Sequence, residues 1–254
     1  MLEKLYKKSR IWFSVVWIAA YCVLMSLGDS LSGLAGVEKS VTLGVGILLS
    51  AVLLVFLKKN RLLSEYGICA PRISARRMLY YVPLFVMLST NLWYGVGMNY
   101  TVVETVLYIL SMLCVGLLEE LIFRGLLFGA MREDNAVAAV AVSSLTFGIG
   151  HIINLVNGSG AEIIPNLLQV VYATAAGFMF VMIYYRSKSL IGCIAAHGVF
   201  NALSAFANEA AATETVRIIF AILLTLITAG YGLYLALMTP DKEENIISDV
   251  CGKE

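Results

Sequence analysis

Three ionisable side chains stand close together in the middle of a long apolar stretch. Glu119 and Glu120 are adjacent, and Arg124 follows within the apolar run 102–131. Such a run can span a bilayer, which needs about 20 apolar residues, although each ionised side chain at membrane depth costs about 2.5 to 3.5 kcal/mol. On a helix, Glu120 and Arg124 share one face and can neutralise each other, whereas Glu119 lies about 100° around it. One paired acid and one poised acid suit proton chemistry in a dry site.

The two histidines of the chain also lie within apolar runs. Phe147 precedes His151 by four residues and Asn201 follows His197 by four residues, so each pair shares a helical face. A single histidine in a membrane helix is most often a packing residue or a link between helices. Polar groups left unsatisfied in hydrocarbon cost free energy, however, so we expect these side chains to cluster with the glutamates and the arginine.

The composition places the chain among membrane proteins. Of its 254 residues, 60% are hydrophobic and 14% are charged, whereas a soluble domain is about 45 to 50% apolar and about 25% charged. The net charge of +1, without a basic cluster, argues against nucleic acid as a partner. We expect membrane lipids and a peptide or protein substrate instead. The five cysteines are scattered and contain no CxxC pair, so they indicate neither a zinc ribbon nor a disulfide framework.

The apolar runs predict an all-α fold, a polytopic membrane bundle of about eight transmembrane helices. We interpret residues 1–254 as a single membrane domain that ends in a polar cytoplasmic tail, 239–254. The predicted spans are 11–28, 41–57, 79–97, 102–131, 136–154, 166–185, 189–207 and 216–238.

The distribution of basic residues predicts the orientation. Lysine and arginine are concentrated before the first span, in the 58–78 connection and at 186–188, whereas the alternate connections are acidic. By the positive-inside rule, a multi-pass protein of the cell membrane with both termini in the cytoplasm is predicted. The 58–78 connection is either an orienting loop or a helix lying on the membrane surface.

Three short motifs in this order resemble a known family. Glu119-Glu120-xxx-Arg124, Phe147-xxx-His151 and His197-xxx-Asn201 reproduce the EExxxR, FxxxH and HxxxN motifs of the CPBP family, the CAAX proteases and bacteriocin-processing enzymes also called the Abi family. The similarity covers about residues 80–205, the expected catalytic core, without a departure at any motif position.

The resemblance implies an eight-helix intramembrane endopeptidase whose site opens towards the cytosol. Glu119 would be the base that activates water, while Glu120 and Arg124 would hold the local structure. His151, with Phe147 one turn before it, would orient water or substrate. This agrees with the chemistry of a glutamate that takes a proton from water and passes it to the leaving amine.

The second histidine motif would stabilise the oxyanion. By the same resemblance, His197 and Asn201 would donate to the developing oxyanion, where each donor is worth about 2.7 to 4 kcal/mol.

Glutamates and histidines could also hold zinc or another divalent metal. HExxH is absent, so the usual zinc-protease spacing gives no support to a metal, and a mechanism without an obligatory metal is slightly favoured. Catalysis with and without a metal both remain as alternatives.

Two other functions fit parts of the sequence. Intramembrane glutamate and histidine occur in the proton relays of transporters, although inverted repeats are not evident. A non-catalytic membrane protein that confers immunity by binding is the other alternative. Helix rise along single spans also gives Glu119, His151 and His197 depths that disagree by several ångströms to more than ten, so we expect either tilt or a fifth helix that starts deeper, in a polar vestibule at 132–135.

Overall fold

The described part of the chain is an all-α membrane bundle. The computed structural model describes residues 2–155, 162–208 and 212–238, and the predicted tail 239–254 lies outside them. Within these ranges, two shorter apolar segments, Val82–Leu92 and Ile191–Phe206, occupy two of the predicted spans. The six segments long and apolar enough to cross a membrane are Arg10–Ala35, Ser40–Lys59, Val102–Met131, Ala136–Leu155, Ile163–Ser187 and Glu214–Leu237. The predicted polytopic bundle is confirmed, with two of its eight helices shorter than a full span.

Ten α-helices follow one another along the described part of the chain. They are α1 (Leu2–Lys8), α2 (Arg10–Ala35), α3 (Ser40–Lys59), α4 (Val82–Ser89), α5 (Val102–Glu119), α6 (Gly129–Met131), α7 (Ala136–Gly150), α8 (Ile163–Ser187), α9 (Ile191–Leu203) and α10 (Glu214–Leu237). A π-helix, Glu120–Phe128, joins α5 to α6 without a break.

Local sequence signals fix the ends of the helices that carry the site. A capping box opens α5, in which the Thr101 hydroxyl accepts from the Glu104 backbone N–H and the Glu104 carboxylate accepts in return from the Thr101 N–H. The same carboxylate accepts from the backbone N–H of Glu38, in the connection between α2 and α3. Gly36, at φ 69°, ends α2 in the left-handed conformation that glycine adopts without strain. The start of α5 is thereby tied to the end of α2.

The π-helix occupies the centre of the bundle. All nine of its residues, Glu120–Phe128, are buried, as expected for a helix surrounded by other helices on every side. The register of a π-helix departs from the usual i→i−4 bonding, and such segments are frequent at functional sites. Here the buried hydroxyl of Ser143, in α7, donates to the backbone carbonyl of Phe123 at 2.9 Å. The element that carries Glu120 and Arg124 is thus the most enclosed one in the described structure.

The 58–78 connection folds inward after α3, and the surface-helix interpretation is wrong. Residues 60–78 form turns rather than a helix, and the Tyr66 and Met78 side chains are buried. Burial raises the pKa of Tyr66, so its hydroxyl stays protonated, and it shares a 2.8 Å hydrogen bond with the Tyr6 hydroxyl. The Gly67 carbonyl accepts from the backbone N–H of Leu190, just before α9. Because this connection covers the start of α9, that helix begins inside the protein.

Glycine brings α5 and α9 into direct backbone contact. A Cβ atom placed on Gly116 would lie 2.5 Å from the backbone nitrogen of Gly198 and 2.6 Å from its Cα atom. No side chain fits at that separation, and close backbone approach is a usual way for helices to pack in a membrane. Gly116 lies three residues before Glu119, and Gly198 directly follows His197. The contact therefore sets the distance between these two ionisable residues.

We expect Gly116→Ala to push α5 and α9 apart and to lower the free energy of unfolding by about 1 to 3 kcal/mol, the usual cost of overpacking. Thermal unfolding of the detergent-solubilised protein measures the effect. Gly230→Ala in α10 is the matched control, because a Cβ atom there meets nothing within 4 Å. Equal melting temperatures for the two variants would contradict the close packing at Gly116.

Candidate active site

A continuous chain of polar contacts crosses the centre of the bundle. Arg124 Nη1 lies 3.1 Å from Glu120 Oε1, and the same oxygen lies 2.8 Å from His197 Nδ1. On its other side, His197 Nε2 lies 3.4 Å from Glu119 Oε2. The hydroxyl of Tyr21 donates to Glu119 Oε1 at 2.6 Å. Side chains from α2, α5, the π-helix and α9 therefore meet in one row.

The inner end of this row is completely buried. The side chains of Glu120 and Arg124 are both 0% exposed, a location that a charge occupies only when it is paired. The Arg124 guanidinium carbon lies 3.9 Å from the centre of the Phe147 ring and 5.5 Å from that of Phe180. Cation–π contacts of this kind stabilise a desolvated guanidinium. One carboxylate and two aromatic faces thus enclose the arginine.

The contacts of His197 determine how its ring can act. A carboxylate oxygen only accepts hydrogen bonds, so His197 Nδ1 carries a hydrogen atom and donates a hydrogen bond to Glu120. The ring is stacked on Phe180, with centroids 5.5 Å apart, and meets Phe147 edge to face at 5.6 Å. These contacts fix the ring plane, so that Nε2 points towards Glu119. Glu120 therefore orients the histidine, and Glu119 faces the nitrogen on the opposite side of the ring.

His151 is oriented in a different way. Its Nδ1 lies 3.0 Å from the backbone carbonyl of Phe147, one turn earlier, and because a carbonyl only accepts, Nδ1 is the donor. Asn166, from α8, donates to the His151 backbone carbonyl at 2.9 Å. In the neutral ring this arrangement leaves the lone pair on Nε2. His151 can therefore accept a hydrogen bond at that nitrogen.

Two cavities adjoin the row of contacts, and Phe147 and His151 line both. The α2-side cavity, of about 110 Å³, has the polar lining residues Tyr21, Asp29, Lys39, Thr42, Glu119, His151 and Asn154. The α8-side cavity, of about 50 Å³, is lined mostly by apolar and aromatic residues, with His151, Gln169, Tyr172, His197 and Asn201 as its polar members. Glu119 thus faces a cavity that the charged residues Asp29 and Lys39 also line, whereas His197 and Asn201 face a smaller one.

The structure brings the seven residues of the three motifs to one site. Glu119, Glu120, Arg124 and His197 are in direct contact, and Phe147 touches both the arginine and the histidine. The two remaining residues, His151 and Asn201, line the α8-side cavity beside His197. The disagreement in depth expected from the sequence therefore does not keep the motifs apart.

Two aromatic residues of the site were not among the predicted ones. Tyr21 comes from the first span, which carries no motif, and Phe180 comes from α8. A signal for Tyr21 exists in the sequence, because a tyrosine hydroxyl in the middle of an apolar span needs a hydrogen-bond partner. Phe180 has no such signal, since an aromatic residue in an apolar helix is typical of any core.

The arrangement does not form a metal centre of the usual kind. No three histidine, cysteine, aspartate or glutamate side chains converge as metal ligands within residues 2–155, 162–208 and 212–238. Both ring nitrogens of His197 face carboxylates, and Nδ1 of His151 donates to its own helix. A three-ligand site of the catalytic zinc type does not fit these contacts, and the chemistry is best derived from the side chains themselves.

We expect Glu120→Gln to be strongly destabilising, because it leaves Arg124 as an uncompensated buried charge, at a cost of about 3 to 5 kcal/mol. The double change Glu120→Gln with Arg124→Met should recover much of this loss. Thermal unfolding in detergent compares the two variants. A double variant that melts below Glu120→Gln would contradict the view that the arginine needs its partner.

Comparison with known proteins agrees with this arrangement. Residues 101–203 match the family model of the Rce1-like type II CAAX prenyl endopeptidases. The chain is also 35% identical over 94 residues to YdiL of Bacillus subtilis (strain 168), a candidate membrane peptidase; the match covers 37% of this chain and spans about a third (33%) of that relative. No solved structure matches the chain. Residues 101–203, which contain all three motifs, are thus similar to the CPBP family of membrane proteases.

Proposed function

We propose that the protein is an intramembrane endopeptidase in which Glu119 activates the attacking water. The observation that carries this proposal is the different surroundings of the two adjacent glutamates. Glu120 is fully buried between Arg124 and His197, whereas the side chain of Glu119 is 13% exposed and lines the polar α2-side cavity. Two carboxylates placed in such different environments take different roles. The family match and the relative in Bacillus subtilis support peptidase activity of this class.

Glu119 carries the proton through the reaction. It takes a proton from water in the α2-side cavity as the water oxygen attacks the carbonyl carbon of the peptide bond. It then gives this proton to the nitrogen of the leaving amine as the carbon–nitrogen bond breaks. One positioned carboxylate can serve as base and then as acid, and such proton transfer contributes about 10²- to 10⁴-fold to the rate.

His197 and Asn201 act on the carbonyl oxygen. Both line the α8-side cavity, so a peptide held there has its oxygen close to their side chains. The amide of Asn201 is a donor in every state, whereas His197 Nε2 donates only while it holds a proton. Glu119 Oε2, 3.4 Å away, can share a proton with that nitrogen. Glu120 and Arg124 keep the histidine ring in place, and His151 accepts from water or from the peptide N–H.

The proposed substrate is a membrane-associated peptide or protein, cleaved within the bundle. The α8-side cavity is mostly apolar, which suits the apolar side chains of a segment at membrane depth. The protein is a multi-pass membrane protein, and its placement in the cell membrane with both described ends facing the cytoplasm is part of this proposal, on the basis of the positive-inside rule.

We expect the purified wild-type protein to cleave members of a peptide library in detergent, and Glu119→Gln to reduce the turnover by at least about 10²-fold, because the base is lost. Mass spectrometry of the products measures the cleavage and its position. Glu104→Gln is the matched control, since Glu104 lies fifteen residues earlier in the same helix, is partly exposed, and can keep its capping role as glutamine.

Wild-type turnover in Glu119→Gln would show that Glu119 is not the base of the reaction. Cleavage by the solubilised protein, without any ion gradient, decides against a transporter as well as against a purely binding role. The same assay with a chelator tests separately whether a divalent metal takes part.

His197→Ala and Asn201→Ala should each lower the turnover by about 10²- to 10³-fold, as expected for the loss of one oxyanion donor.

A further inference from the structure

Tyr21 contacts Glu119 from a part of the chain that carries none of the three motifs. Its hydroxyl donates to Glu119 Oε1 at 2.6 Å, across 98 residues of sequence. The Tyr21 side chain is buried, with 8% of the residue exposed, and lines the α2-side cavity together with Glu119. Tyr21 lies outside residues 101–203, the region that matches the family model. The family core therefore does not supply this contact.

The contact restricts how Glu119 can be oriented. A carboxylate attached through rotatable bonds can adopt several rotamers, and each rotamer presents its oxygens differently. With Oε1 held by Tyr21, Oε2 lies 3.4 Å from His197 Nε2. A hydrogen bond to an ionised acceptor is among the stronger ones in proteins. The two carboxylate oxygens thus have separate partners, and the whole group has a defined plane.

The helix that carries Tyr21 is itself fixed at both ends. At its start, Arg10 forms a 2.7 Å ion pair with Glu65 in the 58–78 connection. At its far end, Asp29 accepts from Lys39 at 2.7 Å and from the Thr42 hydroxyl at 2.6 Å. Tyr21 lies between these two anchors. Its hydroxyl is therefore presented to Glu119 by a restrained helix rather than by a loop.

We propose that Tyr21 is a positioning residue for Glu119, which it holds in the orientation that proton transfer requires. The inference rests on the proposed function, in which Glu119 is the base. Tyr21 does not touch the peptide bond in this scheme, and it acts only through the carboxylate. Removal of its hydroxyl leaves Glu119 in place but free to rotate away from His197.

The test compares Tyr21→Phe with Tyr231→Phe in the full chain. Tyr231 is the matched control because it is also buried, at 4% exposed, and its hydroxyl donates at 2.8 Å to the Met78 carbonyl, away from both cavities. We expect Tyr21→Phe to lower kcat at least about tenfold, with KM nearly unchanged, because the loss of a hydrogen bond to a charged group acts on the base and not on substrate binding. Tyr231→Phe should keep the wild-type kcat.

A second measurement does not depend on proteolysis. Labelling of Glu119 by a hydrophobic carbodiimide, followed by peptide mass spectrometry, reports how freely the carboxyl group can react. We expect labelling several-fold faster than wild type in Tyr21→Phe and unchanged in Tyr231→Phe. A structural role of Tyr21 alone would alter the melting temperature without this selective change in the reactivity of Glu119.

The outcomes separate this inference from the proposed function. If the wild type cleaves peptides and Tyr21→Phe has wild-type kcat and wild-type labelling, the positioning role is wrong although the protease remains. If both tyrosine variants lose activity equally, Tyr21 has no special role and the inference is overturned. If the wild type cleaves nothing, the proposed function fails, and the labelling rates alone decide whether Tyr21 restrains Glu119.

Discussion

The burial of Arg124 is the constraint on which the site depends. A guanidinium remains charged at all relevant pH values, so at 0% exposure it needs a charged partner and favourable surroundings. Glu120 supplies the partner, and Phe147 and Phe180 supply the aromatic faces. These requirements fix the relative placement of the π-helix, α7 and α8. Because Glu120 also accepts from His197, the same ion pair fixes the orientation of the histidine ring.

The ion pair also explains why two adjacent glutamates can differ so strongly. Successive residues of a helix point in directions about 100° apart, so only one of the two can face the arginine. Glu120 is committed to Arg124 and His197 and has no exposed side-chain surface. Glu119, at the junction between α5 and the π-helix, faces the polar α2-side cavity instead. One dipeptide thus provides a fully buried, ion-paired acid and a partly exposed acid that faces a cavity, without any difference in residue type.

The spacing of polar residues along the chain predicted most of the site, whereas the rest depends on packing between segments that are distant in the sequence. The pairing of Glu120 with Arg124 follows from their separation by four residues, and the high cost of unpaired polar groups in a membrane predicts that the histidines join them. The π-helix had no such basis. The Tyr21 hydroxyl indicated the need for a hydrogen-bond partner but not which one, because both features depend on the helices that surround the segment. The fold of the 58–78 connection likewise depends on its packing over the start of α9, whereas its basic residues left an orienting loop and a surface helix as alternatives.

The two halves of the site come from different parts of the chain. The region that matches the family model, residues 101–203, contains the ion pair, both histidines and Asn201. The cavity in front of Glu119 is completed by α2 and α3, through Tyr21, Asp29 and Thr42. These two helices precede the matched region, yet they line the cavity that Glu119 faces. In the proposed mechanism, the matched core carries the groups that act on the peptide, while the two N-terminal helices supply polar residues to the cavity from which the proton is taken.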